Sequence, residues 1–93
     1  MTTVRLNGKL LCRNAEEARI VARYLPEHIR LSREEPGCLH FDVAPLPDAP
    51  LVWTVSESFV DAAAFEAHQT RTRESRWYRA TSAITREFVV NGL

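Results

Sequence analysis

Leu51-Val52-Trp53-Thr54-Val55-Ser56-Glu57-Ser58-Phe59, followed directly by Val60-Asp61-Ala62-Ala63-Ala64-Phe65-Glu66-Ala67-His68, is the stretch that decides the fold. Its first half alternates. Leu51, Trp53, Val55, Glu57 and Phe59 share one side of an extended chain, the period-two pattern of a strand. Its second half changes to helical spacing. Asp61 is placed to cap the first turn, and Phe65 and His68 stand three apart, on one helix face. Glu57 breaks the apolar row. A carboxylate there must be paired or carry a raised pKa.

Upstream, Cys38 to Ala44 reads as another strand, with Leu39, Phe41 and Val43 to one side and His40 and Asp42 to the other. Pro45, Pro47, Asp48 and Pro50 make a rigid, turn-rich connection between the two strands. Before them Asn14 caps a long helix, with Glu17 three residues later as in a capping box. Ala18, Ala22, Leu25, Ile29 and Ser32 recur at helical spacing and form its expected inner face. Pro26 lies inside this pattern, so a kink or restart is expected between Tyr24 and Glu27. Pro36-Gly37 ends the helix. The chain opens with a strand from Val4 to Cys12, in which Gly8 marks a bulge or a close backbone approach. Downstream of His68, a second helical stretch is expected from about Thr72 to Ala83, then a last strand from Ile84 to Val90.

The order strand, helix, strand, strand, helix, strand is the α+β, ferredoxin-like βαββαβ arrangement, an antiparallel sheet with both helices on one face. One domain over residues 1–93 is expected. The other sheet face would be open. If Phe41, Val43, Trp53, Val55 and Phe59 lay on it, they would form an apolar patch that a second copy could cover, so a homodimer is expected. So short a chain buries only about 60–65% of its unfolded surface, which favours pairing.

Composition excludes more than it assigns. Twelve basic residues balance twelve acidic ones, so net charge points to no nucleic acid and no anionic membrane. No apolar run approaches the roughly 20 residues of a membrane span. Met1-Thr2-Thr3-Val4-Arg5 lacks the apolar segment of a signal peptide, and a cytoplasmic location is expected. Cys12 and Cys38 are far apart and read as reduced, buried thiols. There is no glycine-rich phosphate loop, nucleophile elbow or zinc spacing. His28, His40 and His68 are too scattered for a metal site.

Glu35-Pro36-Gly37-Cys38-Leu39, Val55-Ser56-Glu57-Ser58-Phe59 and Asp61-Ala62-Ala63-Ala64-Phe65-Glu66-Ala67-His68 follow one another at set distances. In these segments the chain resembles the antibiotic-biosynthesis-monooxygenase family, whose members often carry E-P-G-C, then E-x-aromatic and A-F-x-x-H at similar separations. The resemblance spans about residues 4 to 90. It implies a dimeric α+β barrel with a pocket between sheet and helices in each protomer. It also implies chemistry on small molecules: oxidation of quinols by oxygen without a cofactor in some relatives, haem degradation or isomerisation of small carbonyl compounds in others. Haem-degrading relatives use an Asn on the first strand, a Trp early in the second helix and a later His. Asn7 fits the first, but His68 stands where the Trp should be, and no histidine follows Trp77-Tyr78. That argues against haem.

Cofactor-free oxygenation needs a base, an electron-rich substrate and donors that hold developing negative charge in a dry site. His68 is the first candidate for the base, its imidazole titrating near neutrality; the alternative is a structural histidine bonded to Glu57 or to a backbone carbonyl. Glu57 reads as its catalytic partner, orienting it or binding substrate, or else as the buried partner of an arginine. Trp77 and Tyr78 read as pocket lining with a hydrogen bond to give. Asn7 and His40 are candidates for substrate contacts, or else exposed strand positions. Arg71, in the run Arg71, Arg73, Arg76 and Arg79, either sits at the pocket mouth or lies on a solvated face. His28 reads as a surface residue. The expected function is a cofactor-independent monooxygenase acting on a quinol or hydroxylated aromatic. The alternatives are an isomerase or tautomerase of a small carbonyl compound, or a non-enzymatic ligand-binding dimer.

Overall fold

The computed structural model describes residues 2–93; Met1, the first residue of the expected 1–93 domain, lies outside them. The elements are β1 (Val4–Leu11), α1 (Ala15–Arg33), β2 (Cys38–Leu46), β3 (Ala49–Phe59), α2 (Ala62–Arg73), α3 (Arg76–Thr81) and β4 (Thr85–Asn91). The strands form one antiparallel sheet in the order β2-β3-β1-β4, the ferredoxin-like topology.

The caps act as the sequence suggests. Asn14 Oδ1 accepts from the Glu17 amide at 2.9 Å, and Asp61 Oδ1 from the Ala64 amide at 2.8 Å. The return bond of the capping box lands one residue early, the Arg13 amide donating to Glu17 Oε1 at 2.7 Å. α1 runs through Pro26 without a restart. The carbonyl that Pro26 leaves unpaired, four residues back, belongs to exposed Ala22, where water can satisfy it. The inner face of α1 is Glu17, Val21, Leu25, His28 and Ser32, so it is rotated from the expected stripe, and Ala22 is exposed.

The proline-rich connection is shorter than it reads. Pro45 belongs to β2 and Pro50 to β3, leaving a tight hairpin at Pro47-Asp48. β2 is an edge strand, and its pairing shifts register beside Pro45. Gly8 shows no bulge. It pairs with Phe88, and a Cβ there would run into the β4 backbone at Glu87 and Phe88.

Phe41, Val43, Trp53, Val55 and Phe59 are all buried in the core under the helices, with Leu6, Leu10, Val21, Leu25, Phe65 and Trp77. They form no open apolar patch, so the expectation of a second copy loses the residues on which it rested. The open face carries instead Arg5, Asn7, Lys9, His40, Asp42, Ser56 and Ser58, with Val89 beside Asn7. Cys12 is buried and Cys38 only half-buried, and both are free thiols.

Candidate functional site

A cavity of about 240 Å³ lies between the helix-facing side of the sheet and the helices. Leu6, Leu10, Val43 and Val55 form its floor. His28 of α1, His68 and Thr72 of α2, and Trp77 and Tyr78 of α3 form the roof and walls. Glu57 rises from β3 into the same space, and Arg86 and Phe88 of β4 close one side.

His68 enters this space because α2 buries Phe65 and His68, three residues apart. Its imidazole packs on Phe59 at 4.9 Å and Phe41 at 5.4 Å between ring centroids. Nδ1 lies 2.7 Å from Glu35 Oε1. Arg71 Nε donates to the other oxygen of Glu35 at 2.6 Å, and Arg71 Nη2 to Ser32 Oγ at 2.9 Å. A carboxylate paired this way only accepts, so Nδ1 is the protonated nitrogen and Nε2 keeps its lone pair. Nε2 faces Thr72 Oγ1 at 3.3 Å and Glu57 Oε1 at 3.5 Å.

Gly37 explains how Glu35 reaches α2. A Cβ at Gly37 would strike Ala64, and the Gly37 carbonyl accepts from the Val60 amide at 2.9 Å. Only a residue without a side chain lets the end of α1 come this close to α2. Glu35, two positions earlier, then meets His68, one helical turn beyond Ala64.

Glu57 is 7% exposed, and its Oε1 makes no hydrogen bond within good geometry. Burial, helped by the negative charge of Glu35, pushes its pKa up to about 8. The side chain is therefore a neutral acid at pH 7. Burial also holds His68 below its ordinary value, against the opposing pull of Glu35. His28 is 4% exposed, stacks on Trp77 at 5.0 Å and leaves Nδ1 without a partner. Burial first, then the nearby His68, Arg71 and Arg86, push its pKa down to about 3. Burial thus favours the neutral form of both imidazoles, beside a neutral acid.

The structure brings together His68, Glu57, Trp77 and Tyr78 of the residues singled out from sequence. It separates the other three from the cavity. Asn7 and His40 lie on the open face of the sheet, exposed, one residue out of phase with buried Leu6 and Phe41. Arg71 is not at the mouth; it neutralises Glu35 beneath the cavity wall. His28 is buried at the cavity, not on the surface. Glu35, His28 and Arg86 are the residues that sequence reading missed. Glu35 had a signal, since it opens the Glu35-Pro36-Gly37-Cys38 segment. Among the described residues no three His, Cys, Asp or Glu side chains are placed to hold a metal ion together, and no helix is long and apolar enough to cross a membrane.

Solved structures with this architecture are numerous. A conserved protein of unknown function from Bacteroides thetaiotaomicron, described as a possible oxidoreductase, superposes with a TM-score of 0.80 at 17% identity, over 99% of this chain and 96% of that one. A Pseudomonas aeruginosa protein gives 0.79 at 25% identity, over 100% and 93%. A candidate antibiotic biosynthesis monooxygenase from Deinococcus radiodurans gives 0.75 at 21% identity, over 97% and 91%. At such identities the first and third likenesses establish the fold alone. No curated protein matches the chain. The family model for antibiotic biosynthesis monooxygenase matches residues 7–80, most of the chain, and so takes in the Glu35–Leu39 segment, Glu57 and His68 together. The chain belongs to the antibiotic biosynthesis monooxygenase family.

Proposed function

We propose that residues 1–93 act as one cofactor-independent monooxygenase domain on a quinol or hydroxylated aromatic small molecule. One observation supports this most: a lone-pair nitrogen, His68 Nε2, stands 3.5 Å from the carboxyl of Glu57 in the wall of a largely apolar cavity. His68 Nε2 takes the proton of a substrate hydroxyl, and Glu35 stabilises the imidazolium through Nδ1. The substrate anion gives one electron to dioxygen. The resulting radical and superoxide join at a ring carbon, forming a C–O bond. Loss of that carbon's hydrogen as a proton and cleavage of the O–O bond leave a carbonyl. The departing oxygen leaves as water, protonated by the Glu57 carboxyl or the imidazolium. For a hydroquinone the sum is quinol plus O₂ giving hydroxyquinone plus water. The neutral Glu57 carboxyl also donates to the oxyanion, a stabilisation favoured in a dry site.

Oxygen uptake with a panel of substituted hydroquinones tests this reading. Turnover above background that depends on His68 is expected. No uptake with any member, or uptake indifferent to His68→Gln, sinks it. The acid–base pair would equally serve a keto–enol transfer; turnover without oxygen selects that isomerase reading. Ligand binding without turnover selects the non-enzymatic one.

We further propose a cytoplasmic homodimer joined through the open sheet face, where Val89 is 63% exposed. Sedimentation should give twice the chain mass, and Val89→Glu should return it to one. A wild-type protein that stays single at high concentration excludes the dimer.

A further inference from the structure

The proton-transfer pair leaves two arginines of the cavity lining unused, Arg73 at the rim and Arg86 in the wall. Arg86 lies on β4 directly across from Leu10 and lines the cavity beside Tyr78, its guanidinium carbon 5.7 Å from that ring's centroid. The end of α3 holds it in place. Nη1 donates to the carbonyls of Thr81 at 2.7 Å and Ile84 at 3.1 Å, and Nη2 donates to Thr81 Oγ1 at 2.8 Å. Thr81 is fully buried and its hydroxyl donates to the Trp77 carbonyl at 2.7 Å. The guanidinium therefore rests on a fixed platform.

A guanidinium has five N–H donors, and three of these are engaged. The Nε hydrogen and the second Nη2 hydrogen find no acceptor among the described residues. Together they are the side-on fork that fits the two oxygens of a carboxylate. No Asp or Glu among the described residues forms an ion pair with Arg86. Arg71, Arg13 and Arg76 differ: each is matched by a carboxylate, Glu35, Glu17 and Glu27 respectively. A half-buried cation without a counter-ion is costly to hold. The cavity supplies no negative charge near neutrality, because Glu57 keeps its proton, while Arg73 adds a second positive charge at the rim.

Size narrows the ligand further. At about 240 Å³ the cavity lies below the usual span of roughly 300–1,000 Å³ for ligand pockets. That is room for one ring and its substituents. Trp77 and Phe88 offer apolar walls.

We infer that the cavity takes a single-ring aromatic carboxylate, its carboxylate gripped side-on by Arg86 and its ring hydroxyl left for the His68–Glu57 pair. The inference rests on the cavity being a ligand site, not on its oxygen chemistry.

Calorimetric titration at pH 7 with 4-hydroxybenzoate and 4-hydroxybenzamide tests it, since the two share ring and hydroxyl and differ in charge. The wild-type protein is expected to prefer the carboxylate by about tenfold or more. Arg86→Gln should abolish the preference, Arg86→Lys should keep part of it, and Arg73→Gln should leave most of it. Equal affinities in the wild type, or no binding of either probe, overturn the inference without any variant being made. So does a preference that survives in folded Arg86→Gln or vanishes in Arg73→Gln alone. Titration involves no turnover, so a missing oxygenase activity and a missing anion preference are separate results.

Discussion

The two faces of the sheet are one residue apart along every strand, yet they are different solvents. On β3, Glu57 faces the helices and is buried, while its neighbours Ser56 and Ser58 face outward. On β2, Phe41 is core and His40 is wet. On β1, Leu6 is core and Asn7 is wet. A polar group on the open face keeps its water and needs no explanation. A titratable group on the helix face must be paired, neutralised or used. Glu57, His28 and His68 are such groups; Glu57 takes up a proton to remain there, and His28 is held neutral. Residue type alone does not mark a site; residue type on the dry face does.

The largest expected effect falls on His68. His68→Gln keeps hydrogen-bonding capacity but removes the base, and oxygen uptake should drop by roughly 10²–10⁴-fold. The activity of wild type should also fall as pH rises through about 8, where Glu57 ionises and can no longer donate. Glu57→Gln should remove that limb from the pH profile.

Stability gives the next two effects, with opposite pH dependence. The folded-state pKa of Glu57 is raised, so the folded chain binds a proton that the unfolded chain releases above about 4.5. Its contribution is therefore intact at low pH and is lost between about 4.5 and 8. Glu57→Gln should be the more stable protein at pH 9, by on the order of 5 kcal/mol, and should lose this advantage at pH 4. His28 runs the other way. Its folded-state pKa is depressed from 6.5 to about 3, so its contribution is present above 6.5 and lost as pH falls toward 3. Between pH 7 and pH 4.5, wild type should lose roughly 2 kcal/mol more than His28→Leu. Urea midpoints across the pH range measure both. Parallel curves for wild type and variant would mean that the side chain is not held on a dry face.

What the sequence made legible follows the same division. Element order and the inward turn of His68 were readable because alternation, caps and the Phe65–His68 spacing are local. The buried face of α1 is ambiguous in sequence because Leu25 and Ser32 belong to two overlapping stripes. The one through Ala18, Ala22 and Ile29 is apolar in composition; the one actually buried holds Val21 but also Glu17 and His28. Tertiary packing chose the second, since His28 stacks on Trp77 and Glu17 is met by Arg13. Arg86 was hidden for a different reason. Its strand alternates weakly, and only the pairing with Leu10 puts a charge opposite a core leucine. Glu35 stands in a legible motif, but its partner is not legible there, because its contact with His68 spans 33 residues of chain.

Asn7 and His40 provide the smallest expected effect and the cleanest test of the division. Alternation that sends Leu6 and Phe41 inward must send Asn7 and His40 outward, and both are exposed there, across from Ser56 and Ser58. Asn7→Ser and His40→Gln should change stability of the single chain by no more than about 0.5 kcal/mol. Affinity for a ligand of the cavity should stay within about twofold, because the sheet stands between these side chains and the bound molecule. If the open face joins two copies, the same substitutions should shift the concentration at which they associate, while the cavity's affinity stays put. A His40 variant that weakens ligand binding at a concentration where the oligomeric state is unchanged would mean that the two faces communicate through β2. The sheet would then be part of the site and not merely its floor.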